Sequence, residues 1–357
     1  MRLEDLGWDD SFAAAFNALD ARGDVEPARV TIEFNHLYRV FGRQGEGAAT
    51  LAGRLKHIAA SRSELPAVGD WVAMRLRPGH DTGAIVAVLP RRSAFSRRMA
   101  GNVTDEQLVA ANVDTVFIVM ALDTDFSLRR LERYLLLAHE SGAAPVVLLT
   151  KPDTSDNTAE KVATVTSIAG RVPVHVLNPR LNVGLEQLWG YLSPGRTGAL
   201  LGSSGVGKST IINRLAGGDV RKTGEVRQSD SKGRHTTMHR ELVMLPNGGL
   251  IIDTPGMREL QLWDVGPAMR GTFEDVEALA AGCHFTDCRH RNEPRCAVKA
   301  AVADGRLQSD RLSSYLKLQD ELAALARQRD ERALLEEKRQ AKIMGKALQK
   351  HLRDKWK

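Results

Sequence analysis

Residues 201–210, Leu-Gly-Ser-Ser-Gly-Val-Gly-Lys-Ser-Thr, constrain the fold more than any other stretch of the chain. They satisfy the phosphate-binding pattern G-x-x-x-x-G-K-[ST] through Gly202, Gly207, Lys208 and Ser209. The apolar run Ala199-Leu200-Leu201 before the loop predicts a strand end, and Ser209 to Leu215 predicts the start of a helix. Glycines let the backbone wrap an anion closely, so that N–H groups and the helix N-terminus point at a phosphate. The candidate nucleotide-binding loop is therefore Gly202, Ser203, Ser204, Gly205, Val206, Gly207, Lys208, Ser209 and Thr210. Lys208 is expected to bridge the β- and γ-phosphates as a catalytic cation, and Ser209 to hold Mg²⁺.

A chain of 357 residues with 43% hydrophobic and 26% charged content predicts two or three domains with their own cores. Acids occupy Met1–Leu6 where a signal peptide needs an apolar core, and no run approaches the ~18 apolar residues of a membrane span. A cytoplasmic protein without a membrane partner is expected. The net charge of +6 is compatible with a polyanionic partner without requiring one.

Residues 1–27 read as a loosely held N-terminal leader carrying no chemistry. Short alternating runs from Arg29 to about Pro90 predict an all-β barrel of about five strands over 28–92, with the OB-fold the variety that most often holds nucleic acid. Arg39, Arg43, Lys56, Arg75 and Arg77 are candidate nucleic-acid contacts, with Tyr38 available for stacking; a merely solvated barrel surface accounts for them equally. Arg91 to Arg98 form a basic connector whose expected partner is phosphate backbone. Beyond it, apolar runs at 113–120, 145–149, 172–177, 199–201 and 250–252, with helical stretches between most of them, predict a mostly parallel α/β domain over 93–265.

The run ending at Leu149 is followed at once by Thr150-Lys151-Pro152-Asp153, which resembles the N-K-x-D element that reads guanine in GTPases. The Asp153 carboxylate can accept from both the guanine N1–H and its 2-amino group, a pattern adenine does not supply. Thr150 stands where that element has Asn, which is expected to remove a bracing amide. Asp253-Thr254-Pro255-Gly256 resembles the D-x-x-G element, in which Asp253 holds Mg²⁺ through water and the Gly256 N–H meets the γ-phosphate. Gly233-Arg234-His235-Thr236-Thr237 suits a switch loop. Spacing leaves Thr236 and Thr237 both open as the Mg²⁺ ligand, with Thr237 favoured. Asn178-Pro179 before Gly184-Leu185 is a weak match to the remaining guanine element. Because the guanine reader precedes the phosphate loop, the GTPase domain is circularly permuted.

All three cysteines, Cys283, Cys288 and Cys296, fall in one segment with His290, in a C-x₄-C-x-H-x₅-C arrangement. Three thiolates and an imidazole point to one structural Zn²⁺ rather than to disulfides, with His284 a competing ligand. Residues 266–357 are thus read as a mostly helical zinc-binding domain. Its tail from Lys338 to Lys357 carries eight basic residues against Asp354, either as a helix that docks on RNA or as a solvated end.

Together the permuted motifs, the N-terminal barrel, the G-R-H-T-T loop and the cysteine module resemble the bacterial small-ribosomal-subunit biogenesis GTPase family RsgA, also called YjeQ. The resemblance covers roughly residues 28–300. It implies binding of GTP and GDP, a monomer, and hydrolysis late in assembly of the 30S subunit and stimulated by it, with the barrel and zinc module contacting 16S rRNA. It also favours His290 as the fourth zinc ligand. Met257 stands where Ras-like enzymes place the glutamine that orients water, and a thioether cannot do that, so His235 is the candidate for the task. Two other readings stay open: an RNA-binding assembly factor that holds GTP with little turnover, and a P-loop ATPase.

Overall fold

The computed structural model describes residues 2–19, 25–34, 37–59, 61–75, 82–99, 102–218, 240–253, 272–324, 326 and 327, which belong to two compact units, Met1–Gln261 and Leu262–Lys357.

In the first unit, strands β1 (Glu26–Phe34), β2 (Leu37–Gly42), β3 (Gly45–Leu51), β4 (Trp71–Arg75) and β5 (Thr82–Val88) run in the order β1-β2-β3-β5-β4, and β4 pairs back onto β1. With β3 and β5 parallel, this is the closed five-stranded barrel expected of an OB-fold. The sequence Gly-Glu-Gly-Ala-Ala-Thr-Leu of β3 has little strand propensity of its own and is held by its two neighbours. Val30, Tyr38, Val40, Val72 and Ile85 pack inside, and the short helix α2 (Gly53–Ile58) follows β3. Tyr38 is consequently buried and cannot stack on a base, contrary to expectation: the period-two alternation that turns Arg39 outward, into an ion pair with Glu46 at 3.3 Å, turns Tyr38 inward.

Two other expectations also give way. The described part of the leader is packed rather than loose: Asp9 caps helix α1 (Asp10–Asn17), Leu3, Leu6 and Phe12 are buried, and Trp8 meets Trp71 edge to face at 4.7 Å. In the basic connector, Arg91 and Arg92 are engaged within the fold rather than offered to phosphate, while the side chains of Arg97 and Arg98 lie outside the described residues. Arg91 forks onto the buried carboxylate of Asp70 through two 2.8 Å bonds, and Arg92 lies 4.0 Å over the Phe12 ring while pairing with Asp9. A buried carboxylate without such a partner would be severely destabilising. Strand β6 (Ala94–Met99) then pairs with β7 (Asn102–Ala111) in a separate hairpin.

Strands β8 (Thr115–Ala121), β9 (Ala144–Thr150), β10 (Val174–Leu177), β11 (Thr197–Leu201), β12 (Arg240–Met244) and β13 (Leu250–Asp253) form a sheet ordered β10-β9-β8-β11-β13-β12. All are parallel except β12, and β8 is buried throughout, as a strand covered on both faces must be. Helices α3 (Leu128–Ser141), α4 (Thr158–Ala169) and α5 (Lys208–Ala216) accompany it. The far edge of β12 pairs antiparallel with β1, Ile32 opposite Glu241, so barrel and α/β sheet are hydrogen-bonded into one surface. Arg29 of β1 fastens the junction. Its buried guanidinium donates to Thr197 Oγ1 (2.9 Å) and to the carbonyls of Gly69, Asn112 and Leu6, and burial lowers its pKa to about 10, leaving it charged at neutral pH.

Helices at Glu274–Ala280, Ala297–Ala303 and 309–324 make up most of the described residues of the second unit, with irregular chain over 281–296. Phe273 packs on Tyr315, whose hydroxyl donates to Glu277 at 2.8 Å. The basic tail lies outside the described residues, as does Arg77 of the barrel.

Candidate nucleotide site and metal centre

At the end of β11 the chain turns through Gly202 at φ +155°, where a Cβ would stand 2.3 Å from the Val119 carbonyl oxygen of β8. Only glycine fits that approach. Gly205 (φ +78°) and Gly207 (φ +104°) continue the loop, and Gly207 caps α5 in the left-handed region. The N–H groups of the first turn of α5 and the positive end of its dipole therefore open onto the loop. Lys208 Nζ curls over it, donating to Gly202 O at 2.7 Å and to Ser203 O. Ser209 and Thr210 occupy the same first turn. Asp253 ends β13, the strand paired directly with β11, so its carboxylate belongs to the same end of the sheet.

The element expected to read guanine stands two strands away, at the end of β9. Thr150 is fully buried, and its Oγ1 donates to the Val206 carbonyl of the phosphate loop at 2.6 Å. Contrary to the expectation that losing Asn removes a brace, the hydroxyl supplies one, because a single donor suffices to satisfy that buried carbonyl. Lys151 takes φ +56° and its Nζ pairs with Asp123 Oδ2 at 2.7 Å. Burial raises the Asp123 pKa, but the bonds from Lys151 and the Asp125 N–H outweigh this and hold the carboxyl below its usual range. Asp153 lies in the turn Pro152–Thr154, where its Oδ1 accepts from Asn178 Nδ2 at 2.8 Å. The weakly matching Asn178-Pro179 element is thus seated beside the carboxylate expected to read the base. Arg214 of α5 donates to Pro179 O and Arg180 O, both at 3.2 Å, tying that loop to the phosphate-binding helix.

Sequence reasoning missed Asp123, Asp125 and Arg130. They match no motif, and their only signal is position, just beyond the strand between the two nucleotide elements. His235, Thr236, Thr237, Gly256 and Met257 lie outside the described residues.

In the second unit the ligand atoms of Cys283, Cys288, His290 and Cys296 all lie within 4.8 Å of one another. His290 Nδ1 is 3.6, 3.5 and 3.4 Å from the three sulfurs in that order, and the Cys283 and Cys296 sulfurs are 3.9 Å apart. A tetrahedron around zinc needs edges of about 3.6 Å between sulfur and nitrogen and about 3.8 Å between sulfurs. The residues fit the ion. His290 reaches the cluster through a left-handed backbone at φ +59°, whereas His284 packs on Phe285 and is not part of it.

A family model described as RsgA GTPase matches residues 88–263, and one described as 50S ribosome-binding GTPase matches residues 197–330. Among curated relatives, the small ribosomal subunit biogenesis GTPase RsgA of Opitutus terrae is 51% identical over 339 residues, covering 92% of each chain. Its namesake from Syntrophotalea carbinolica is 42% identical over 353 residues, covering 96% of each. The crystal structure of YjeQ from Thermotoga maritima superposes with a TM-score of 0.63 at 26% identity, over 84% of this chain and 99% of that one. A structure titled YloQ, a circularly permuted GTPase, shares the fold with a TM-score of 0.59 at 22% identity, over 86% of this chain and 98% of that one. Two nucleotide elements joined in permuted order, a barrel sewn to their sheet and full-length relatives that agree in name place this chain in the RsgA family of small ribosomal subunit biogenesis GTPases.

Proposed function

We propose that this GTPase acts late in maturation of the 30S ribosomal subunit, hydrolysing GTP while its barrel and its zinc-bearing unit engage 16S rRNA. The observation that carries the nucleotide assignment is the Thr150–Val206 bond of 2.6 Å, which locks the guanine-reading strand end onto the phosphate loop in spite of the permuted order. The small subunit is preferred over the large one because both curated relatives reported above are named for it, whereas the model described as 50S-binding matches only residues 197–330.

In this reading Asp153 accepts from the guanine N1–H and 2-amino group, and Lys151 and Thr150 position the base-reading turn. Gly202 to Thr210 wrap the phosphates, with Lys208 on the β- and γ-oxygens. Ser209, Asp253 and Thr237 would hold Mg²⁺, which when bound offsets the charge that develops on the phosphate oxygens. Gly256 serves the γ-phosphate, and His235 orients the attacking water in place of the missing glutamine. One Zn²⁺ on Cys283, Cys288, His290 and Cys296 has a structural role, since all four positions of the shell are filled by protein. The protein works as a cytoplasmic monomer, and among the described residues no helix is long and apolar enough to cross a membrane. The domains are taken as 28–92, 93–265 and 266–357, after the segment 1–27.

Co-sedimentation with purified small subunits in GDP and in a non-hydrolysable GTP analogue, paired with single-turnover hydrolysis with and without subunits, tests this reading. Retention that depends on the nucleotide and a rate raised by the subunit are expected. Equal slow rates in both conditions would favour a factor that holds GTP without turning it over.

A further inference from the structure

We propose that Arg130 is a positioning residue for GTP turnover, fixing the phosphate loop through the side chain of Ser203; the inference rests on the GTPase reading and deepens it. Arg130 lies in the first turn of α3, after the strand that separates the guanine-reading strand from the phosphate-loop strand. Its Nη1 donates to Ser203 Oγ at 2.6 Å and to Asp125 Oδ1 at 2.5 Å. A loop residue is thus held by a charged side chain of a neighbouring helix.

The guanidinium is itself held in place. Asp125, which carries it, donates its own N–H to Asp123 Oδ1 at 2.8 Å, and the other oxygen of Asp123 holds Lys151. Hydrogen bonds therefore run without a break from the base-reading element to the phosphate loop. An isolated ion pair with side chains 35% and 29% exposed, as Arg130 and Asp125 are, would contribute little on its own. The bond to Ser203 changes that, because it converts a surface pair into a charged donor that restricts a loop built largely of glycine. Ser203 O also receives Lys208 Nζ. A lysine that turns to polyphosphate releases that carbonyl, and Arg130 then remains as a tie on Ser203. Its charge also adds to the positive field in which the triphosphate sits.

The test uses the full-length chain with Arg130→Ala, Ser203→Ala, the double variant and Arg130→Lys. Single-turnover GTP hydrolysis and binding of a fluorescent GDP analogue are measured for each. Arg130→Ala is expected to slow hydrolysis about tenfold, the loss typical of one charge-assisted hydrogen bond, while the Kd for GDP stays within about twofold, since chemistry and not uniform binding is affected. Ser203→Ala should give a comparable loss, the double variant no further loss, and Arg130→Lys a partial recovery. Should Arg130→Ala fail to fold, Asp125→Asn, which loosens the guanidinium without altering the loop, should give a smaller loss in the same rate. Wild-type hydrolysis by Arg130→Ala, strictly multiplicative effects of the two substitutions, or a loss confined to GDP affinity would overturn the proposal. Absence of turnover in the unmodified chain would instead count against the GTPase reading itself.

Discussion

The two ends of the nucleotide site are built from different materials. The phosphate end is backbone: Gly202, Gly205 and Gly207 take dihedrals that other residues avoid, and a helix N-terminus supplies the donors. The proposed guanine end is side chain: Asp153 is presented by Asn178, Lys151 by Asp123, and the turn is tied down by the Thr150 hydroxyl. Backbone geometry has no substitute, so the first end tolerates no change of residue type at its glycines. Hydrogen-bonding side chains can be exchanged for others of like capacity, so the second end accommodates Thr150 where the family element has Asn.

That contrast can be broken at several points. The largest effect is expected from Gly202→Ala, which drives a methyl group to 2.3 Å from the Val119 carbonyl oxygen. A cost above about 3 kcal/mol in thermal or denaturant unfolding, with loss of nucleotide binding, should follow; a stable variant that still binds GDP would show that the backbone end is as adaptable as the other. Next comes Asp153→Asn, which replaces one acceptor by a donor. GDP affinity should fall about a hundredfold while xanthosine diphosphate, whose 2-oxo group accepts, should gain; competition binding with the two nucleotides decides it. The smallest effect is expected of Thr150→Val, which keeps the shape and leaves the Val206 carbonyl unsatisfied, for about 1–3 kcal/mol read as weaker GDP binding or a lower Tm. Thr150→Asn should behave close to the natural chain, and a large loss there would mean that the Thr hydroxyl is doing something an amide cannot.

Where the sequence was readable, a local pattern forced the outcome. The phosphate loop, the buried parallel strands and the Cys-Cys-His-Cys spacing all declare themselves within a few residues, because glycine dihedrals, strand burial and metal ligation each restrict residue type. The failures have an equally physical cause. Arg91 and Arg92 read as a basic patch since a one-dimensional chain does not reveal that buried Asp70 and the ring of Phe12 await them. Tyr38 and Arg39 are neighbours in sequence, and only the closure of the barrel decides which of them faces inward.

By itself, then, the sequence determined that this chain binds a nucleoside triphosphate through motifs in permuted order and that it carries a Cys-Cys-His-Cys cluster fit for a metal, because those commitments are made by short-range stereochemistry. Tertiary structure alone decided how the pieces cooperate. The pairing of β12 with β1 makes barrel and GTPase sheet one surface, and Arg130 meets Ser203 across 73 positions of sequence. Such contacts depend on where distant backbone segments are brought by folding, which no local pattern of residues records.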